Sequence, residues 1–361
     1  MGQNSKNVKN KINILLVSVR SDMGGGPRHI CDLIEGIQKQ YPNFNIYIAA
    51  PDEPPFFEQF KKYAIDVIPI PKRKLSIKAI LSLIRFIRTN HINIIHSHGR
   101  GAGIYSKILY IFTRAKVVHT FHGISKDKKL IVEKILSSLT HQYICVSNSE
   151  YVKAQKLKVA TIRKITVNPN GINLSLFNQS KTRNKTLQKV GIIGRLDRVK
   201  RIDKLLVAIH KKHDDLKDFT FYIAGDGPLK NSLITLAHKY QIENKVIFLG
   251  ETNDICCFLN SIAVLTSFSE SEGLPLSVLE AMACNTPCLL SDIDAHKNLA
   301  ANNCAILFNP DLPDDFLIKL KSLQDKKASG KLIDAAYQKV CNEHNIDKMI
   351  ENTIKIYESC L

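Results

Sequence analysis

The 361-residue sequence carries 51 Lys and Arg against 33 Asp and Glu, a formal net charge of +18, with 44% hydrophobic and 23% charged residues. That balance excludes a disordered or fibrous chain, and the length accommodates two domains of ordinary size, each with its own core. The positive excess points to an acidic partner: nucleic acid, an anionic membrane surface or phosphorylated small molecules.

The opening MGQNSKNVKN lacks the apolar core of a signal peptide, and Lys6 stands where a myristoylation signal needs Ser or Thr. The first aliphatic run, 12–19, is too short to cross a bilayer. In the first half, short aliphatic runs at 12–19, 46–50, 67–70, 92–96, 117–120, 143–146 and 165–167 read as strands. They are separated by helical patterns such as 28–39, 77–89 and 130–139. The polar, basic stretch 178–189 breaks this rhythm and reads as a linker or hinge. A second series follows: strands at 190–193, 219–224, 246–249, 262–266 and 287–290, and helices at 202–213, 229–240 and 275–283. Alternation of this kind predicts an α/β fold of two Rossmann-like, doubly wound domains, at 1–178 and 190–340, facing a cleft. A closing helix within 341–361 is expected to pack back on the first domain. Nine cysteines, with no C-x-x-C pair, read as reduced thiols of a cytoplasmic protein.

In open parallel sheets ligands gather beyond the carboxyl ends of strands. The run Gly24-Gly25-Gly26, followed by Pro27 and Arg28, stands at such a place. Glycines there let backbone N–H groups approach an anion, with the helix starting at Pro27 and Arg28. It is neither G-x-G-x-x-G nor a P-loop, and a plain turn is the competing reading. After the first strand of the second half comes GRLDRVKR, with four cations, Arg195, Arg198, Lys200 and Arg201, in seven residues. Cations at a helix start oppose the helix dipole, so a bound phosphate is expected to compensate, against a solvated basic turn as the alternative. In SESEGLPLSVLEAMA, Glu272 lies on a post-strand loop and Glu280 eight residues on, inside the helix beginning near Pro275. Carboxylates so placed suit paired hydroxyls, as a sugar or ribose presents.

The E-x7-E pattern within EGLPLSVLEAMA, with GRLDRVKR, NGIN, GGGPRH, HTFHG, VSNSE and GDGP in that family's order, resembles the retaining glycosyltransferases of the GT-B fold, family GT4. The resemblance spans nearly the whole chain. It implies that Arg195 and Lys200 grip the diphosphate of a nucleotide sugar, Glu280 binds the ribose hydroxyls and Glu272 contacts the donor sugar. The backbone at Gly273 and Leu274 completes the donor site, His122 lies near the reacting face of the sugar, and Asn170-Gly171 marks a turn where the domains meet. It further implies metal-independent transfer with retention, without cofactor beyond the nucleotide sugar as co-substrate. Growing charge on the departing diphosphate would be stabilised by Arg195, Lys200 and the N–H groups of Gly24 to Gly26. The phosphate oxygen itself would help take the acceptor's proton. A UDP-sugar is the expected donor, and the acceptor a glycan or lipid-linked intermediate of surface polysaccharide or lipopolysaccharide assembly.

This chain departs from the family at Pro275, where glycine is common, and at Asn173, where aspartate is frequent. Asp292-Ile293-Asp294 mimics a D-x-D metal motif but follows a second-half strand, and no metal is expected. His96, His98, His119 and His122 lack a cysteine or carboxylate to complete a zinc set, so the first three read as polar residues at strand ends. The stripe Ile77, Ile80, Leu81, Ile84, Ile87, beside Lys78, Arg85 and Arg88 and after Lys72-Arg73-Lys74, reads as a core face or as a surface for anionic lipid. Peripheral contact with the cytoplasmic face of the inner membrane is the expectation. No nucleic-acid reading module is visible. The alternatives are a nucleotide-sugar 2-epimerase of similar fold and a noncatalytic nucleic-acid or membrane binding protein.

Overall fold

The computed structural model describes residues 11–124, 129–177, 188–252 and 254–361. The stretch 178–189, read from the sequence as a linker, falls over 178–187 outside the described residues. Two compact units emerge. The first comprises Met1–Cys145, Lys153–Asn168 and Ile350–Leu361, the second Val146–Val152 and Pro169–Met349.

The first unit alternates strand and helix: β1 (Ile12–Ser18), α1 (Gly25–Gln40), β2 (Phe44–Ala50), α2 (Phe56–Tyr63), β3 (Asp66–Pro69), α3 (Ile77–Thr89), β4 (Ile94–His98), α4 (Arg100–Thr113), β5 (Lys116–Phe121), α5 (Lys129–Ile135), β6 (Gln142–Cys145), α6 (Asn148–Lys156) and β7 (Ile165–Val167). Its seven strands are all parallel, in the order β3-β2-β1-β4-β5-β6-β7. Parallel strands covered by helices on both faces must be apolar throughout rather than alternating. Ile14, Leu15, Leu16 and Val17 of β1 accordingly have no solvent exposure.

The second unit contains β8 (Lys189–Ile193), α7 (Ile202–Lys211), β9 (Thr220–Ala224), α8 (Lys230–Lys239), β10 (Val246–Gly250), α9 (Ile255–Ser261), β11 (Val264–Ser267), α10 (Leu276–Ala283), β12 (Cys288–Ser291), α11 (Asp294–Ala300), β13 (Ile306–Phe308), α12 (Pro313–Ser322), α13 (Lys326–Glu343) and the start of α14 (Ile346–Cys360), which from Ile350 onward belongs to the first unit. Its parallel sheet runs β10-β9-β8-β11-β12-β13. Separate apolar clusters pack around it, one including Leu205, Phe221 and Phe316, the other Leu259, Leu279 and Val340. In both sheets the strand order reverses beside the first strand, between β1 and β4 and between β8 and β11. Such a switch point leaves a crevice at the strand ends where loops diverge.

The C-terminal turns of α14 are fixed to the first unit by buried polar contacts. Tyr357 Oη lies 2.6 Å from His96 Nδ1, and Asn168 Nδ2 donates to Thr353 Oγ1 at 2.9 Å. Ile350 covers Gly36 so closely that a Cβ at residue 36 would lie 2.0 Å from Ile350 Cδ1. Three sequence expectations need adjustment. Helix α1 starts at Gly25, two residues before Pro27, so Gly25 and Gly26 lie in its first turn and Gly24 is its N-cap. Pro275 is the residue before α10, its carbonyl accepting from Val278 N at 3.2 Å, not the first helical residue. The basic stretch does not lead directly into a helix: a single 3₁₀ turn, Arg198–Lys200, intervenes, capped by Asp197 Oδ1 accepting from Val199 N at 3.1 Å.

Candidate donor site and the histidine cluster

In the second unit the loops after β8 and β11 flank the switch point. Glu270 N donates to Val199 O at 2.9 Å, which ties the two loops by backbone. Their side chains meet as well, with Lys200 Nζ 2.5 Å from Glu272 Oε1. The pair is half-buried, at 22% and 15% side-chain exposure. Burial alone would push the Glu272 carboxyl up; the Lys200 charge, with hydrogen bonds from Lys200 and Ser269, outweighs it and holds the group below the ordinary glutamate value. Glu272 is therefore an anion at neutral pH.

Acids of the chain itself meet the basic stretch, beside any phosphate it binds. Lys200 pairs with Glu272, while Arg201 and Lys204 share Asp311 at 2.7 and 2.9 Å. Arg195 lies 3.9 Å from Asp197. The loop bearing Arg195 is braced by the one after β9: Leu196 N donates to Asp226 O at 2.9 Å, and Leu229 N to Leu196 O at 3.0 Å. Close approach requires glycine there, since a Cβ on Gly225, at φ +142°, would lie 2.0 Å from Gly194 O.

Glu280 sits one turn into α10 and is buried. The segment between the two glutamates is held by side chains aimed at its carbonyls. Ser147 Oγ donates to Gly273 O at 2.9 Å, and Asn170 Nδ2 to Leu274 O at 3.2 Å. With those carbonyls engaged, the loop is fixed in one conformation. Asn170 Oδ1 is buried without a hydrogen-bond partner. Gly171 permits the chain to pass beside residues 345–346, because a Cβ would lie 2.6 Å from Asn345 O. Asn173 Oδ1 accepts from Ser175 N at 3.0 Å, an Asx turn that aspartate would form equally well. Ser147 carries no assignment in the sequence reading, although VSNSE was among its motifs. His296, near Glu272 and hydrogen-bonded to Ser291 O at 2.9 Å, belongs to none of the sequence motifs.

In the first unit Gly24 caps α1, and Arg28 N donates to Gly24 O at 3.2 Å. Arg20 organises the preceding loop, its Nε donating to Asp22 Oδ1 at 2.7 Å and its Nη2 to Met23 O at 3.1 Å. His122 follows β5 and lies against this turn, since a Cβ on Gly26 would be 3.7 Å from His122 Cδ2. His98 Nδ1 is 3.2 Å from His122 Nε2. Burial first, then the neighbouring imidazoles, hold both rings well below the ordinary histidine value, so both are neutral at pH 7. His98 and His122 meet with His29 of α1, whereas His96 bonds Thr120 and Tyr357 and His119 bonds Ser97. Asp292 pairs with Lys297 at 3.2 Å, and Asp294 opens α11.

The chain thus consists of two parallel α/β units, with a lysine–glutamate pair at the switch point of the second. Residues 23–176 match the family described as Glycosyltransferase Family 4, and residues 176–339 the one described as Glycosyl transferases group 1. The chain belongs to these glycosyltransferases and is a sugar-transferring enzyme. It is 27% identical over 340 residues to the O-antigen biosynthesis glycosyltransferase WbnH of Escherichia coli, covering 89% of this chain and 95% of that one. It is also 27% identical, over 78% of this chain and 79% of that one, to the UDP-Gal:alpha-D-GlcNAc-diphosphoundecaprenol alpha-1,3-galactosyltransferase of the same organism. Among solved structures, Anabaena Alr3699/HepE in complex with UDP and glucose superimposes with a TM-score of 0.85 at 16% identity, covering 96% of this chain and 100% of that one. The fold is GT-B.

Proposed function

We propose that the chain is a retaining, metal-independent transferase that moves a sugar from a UDP-sugar to a glycan or lipid-linked acceptor in surface polysaccharide or lipopolysaccharide assembly. The observation that carries this reading is the Lys200–Glu272 pair at the β8/β11 switch point, with Arg195 on the same loop and Glu280 on the following helix. Arg195 and Lys200 supply the positive charge for a diphosphate, Glu280 accepts from the ribose hydroxyls, and Glu272, anionic at neutral pH, accepts from a sugar hydroxyl. Asn170, together with Ser147, keeps Gly273 and Leu274 in place for the donor. In the first unit, His122 is assigned to the reacting sugar, and the N–H groups of Gly24, Gly25 and Gly26 to its leaving diphosphate. Pro27, lacking an N–H, cannot contribute.

Departure of the diphosphate leaves an oxocarbenium-like sugar, so catalysis depends on donors already aimed at the charge that grows on phosphate. The acceptor attacks on the face the diphosphate leaves, its proton passing to a phosphate oxygen. No cofactor beyond the nucleotide sugar takes part. The name of the galactosyltransferase relative supports a UDP-sugar and a diphospholipid-linked acceptor, and the complex of HepE with UDP-glucose is in keeping with UDP.

The acceptor reading extends to a membrane surface. No described helix is long and apolar enough to cross a membrane. Helix α3 divides its apolar residues, burying Ile80, Leu83 and Ile87 while Ile77 and Leu81 stand 78% and 62% exposed. Helix α4 adds Phe112, 53% exposed, and Arg88 Nη2 donates to Phe112 O at 2.9 Å. From residue 67 to residue 124 the sequence has no acidic residue and ten Lys and Arg, nine of them besides the buried Lys107. Such a surface suits anionic lipid, with each nearby cation contributing about 1 kcal/mol. Cosedimentation with phosphatidylglycerol vesicles should be lost in Ile77→Glu/Leu81→Glu; retention would refute the membrane contact.

The transferase reading is tested by thermal-shift screening against nucleotide sugars, since a ligand that binds the folded state stabilises it. A UDP-sugar should raise Tm and then, with a diphospholipid acceptor, be consumed. Conversion of the nucleotide sugar without any acceptor would mean an epimerase instead.

A further inference from the structure

The first unit contains a cluster of three imidazoles, of which the transferase reading uses only His122. His29 lies on the second turn of α1, His98 ends β4, and His122 follows β5. Ring centroids are 5.5 Å apart for His29 and His98, 5.0 Å for His29 and His122, and 5.5 Å for His98 and His122. One ring nitrogen from each comes within 4.8 Å of the others. We propose that His29, His98 and His122 form a binding site for a borderline-soft divalent cation of the zinc class.

The spacing fits the ion. Zinc binds imidazole nitrogen at about 2.0–2.1 Å in tetrahedral geometry, which sets ligand nitrogens roughly 3.3–3.4 Å apart. His98 Nδ1 and His122 Nε2 are already 3.2 Å apart, so that edge of the tetrahedron exists, and the third nitrogen, within 4.8 Å of the others, needs a shift of at most about 1.5 Å. In the free protein the contact between these two nitrogens needs a proton on one of them; a cation replaces that proton, which moves to the other nitrogen of the same ring. His98 Nε2 is buried without a hydrogen-bond partner, so the present arrangement leaves hydrogen-bonding capacity unused. Burial keeps His98 and His122 neutral, the form that coordinates metal.

Three imidazoles without thiolate or carboxylate favour Zn²⁺, Co²⁺, Ni²⁺ or Cu²⁺ over Mg²⁺ or Ca²⁺. Three protein ligands leave the fourth position to water. The ion is not an agent of the transfer. By occupying a ring nitrogen of His122, beside Gly26, it withdraws that residue from any other partner, so zinc-class ions act as inhibitors. Binding itself is independent of the transferase reading, and only the inhibition rests on it.

The test is titration of the chelator-treated full chain with CoCl₂, read by visible absorption. One equivalent should produce the d–d bands of a low-coordinate nitrogen site, without the near-ultraviolet charge-transfer band that any of the nine cysteines would add. His29→Gln and His98→Gln should each weaken Co²⁺ by more than the roughly 10–100-fold that loss of a supporting group costs; His238→Gln, on the exposed face of α8, should not. Circular dichroism checks folding. If the buried variants do not fold, anomalous scattering from wild-type crystals soaked in ZnCl₂ locates the ion directly. Absence of the d–d bands, a thiolate band, undiminished binding in both variants, or anomalous density away from these rings would overturn the proposal.

Discussion

Lys200 Nζ stands 2.5 Å from Glu272 Oε1, joining two loops 72 residues apart in sequence at the point where the second sheet reverses its strand order. Each residue holds the other in place before any ligand arrives. Lys200→Ala removes a preorganised cation and should lower kcat by about 10²–10³-fold. Glu272→Gln should cost less, since the amide still accepts a hydrogen bond. Because the two side chains touch, the double variant should deviate from additivity by roughly 0.5–3 kcal/mol. A double-mutant cycle on kcat/KM measures this, and strict additivity would mean that the pair does not act as a unit.

The first unit should lose stability in mild acid. His96, His98, His119 and His122 have folded values held below the ordinary 6.5 by burial, His119 at about 4. The unfolded chain therefore binds more protons below pH 6.5, and stability, fully present above that pH, declines as pH falls toward 4. Asp32, which burial pushes up to about 6, takes up a proton in the fold over the same range and offsets one of the four. Glu272, held low, contributes only below about pH 4.5. Thermal unfolding at pH 7.5, 6.0 and 5.0 should show a falling Tm, with a shallower fall in His119→Asn. A flat profile would contradict the buried, neutral cluster.

Lys107 of α4 is buried in ion-pair contact with Glu133 of α5, whose Oε1 also accepts from Tyr143 Oη at 3.1 Å. Removing one partner leaves an uncompensated buried charge, so Glu133→Ala should destabilise by about 3–5 kcal/mol. Replacing both, as Lys107→Met/Glu133→Leu, should recover most of that loss. Urea denaturation curves of the three proteins distinguish a paired charge from a dispensable one.

The last turns of α14 belong physically to the first unit. Deleting residues 350–361 uncovers Gly36 and removes Tyr357, which is fully buried beside His96. The deletion should lower the unfolding temperature of the first unit far more than Tyr357→Phe, which forfeits one hydrogen bond of about 0.5–1.5 kcal/mol. Equal effects would mean that the helix contributes little by packing.

Legibility in the sequence followed range. The all-buried β1 and the strongly patterned α3 were readable because their signals are local. The eight-residue α2 was not, being too short to display a period. Arg195, Lys200, Glu272 and Glu280 could be named from their motifs, but not the pairing of Lys200 with Glu272 or of Arg201 with Asp311, 110 residues away. The meeting of His29 with His98 and His122 is hidden for the same reason: nothing local connects the HI of α1 with the ends of β4 and β5. Its one visible signal was a histidine placed immediately behind a glycine run, on what becomes the buried face of the helix.

The most direct measurement is sugar transfer from a UDP-sugar, identified by thermal shift, to a diphospholipid-linked acceptor, followed by mass spectrometry for the wild type, Arg195→Ala, Lys200→Ala and Glu280→Ala. The account predicts a glycosylated product from the wild type, and at least ~10²-fold slower transfer by Arg195→Ala and Lys200→Ala. It predicts weakened UDP-sugar binding in Glu280→Ala, with folded structure kept in all three. Unchanged turnover in these variants would contradict the assignment of the donor to the β8/β11 switch point.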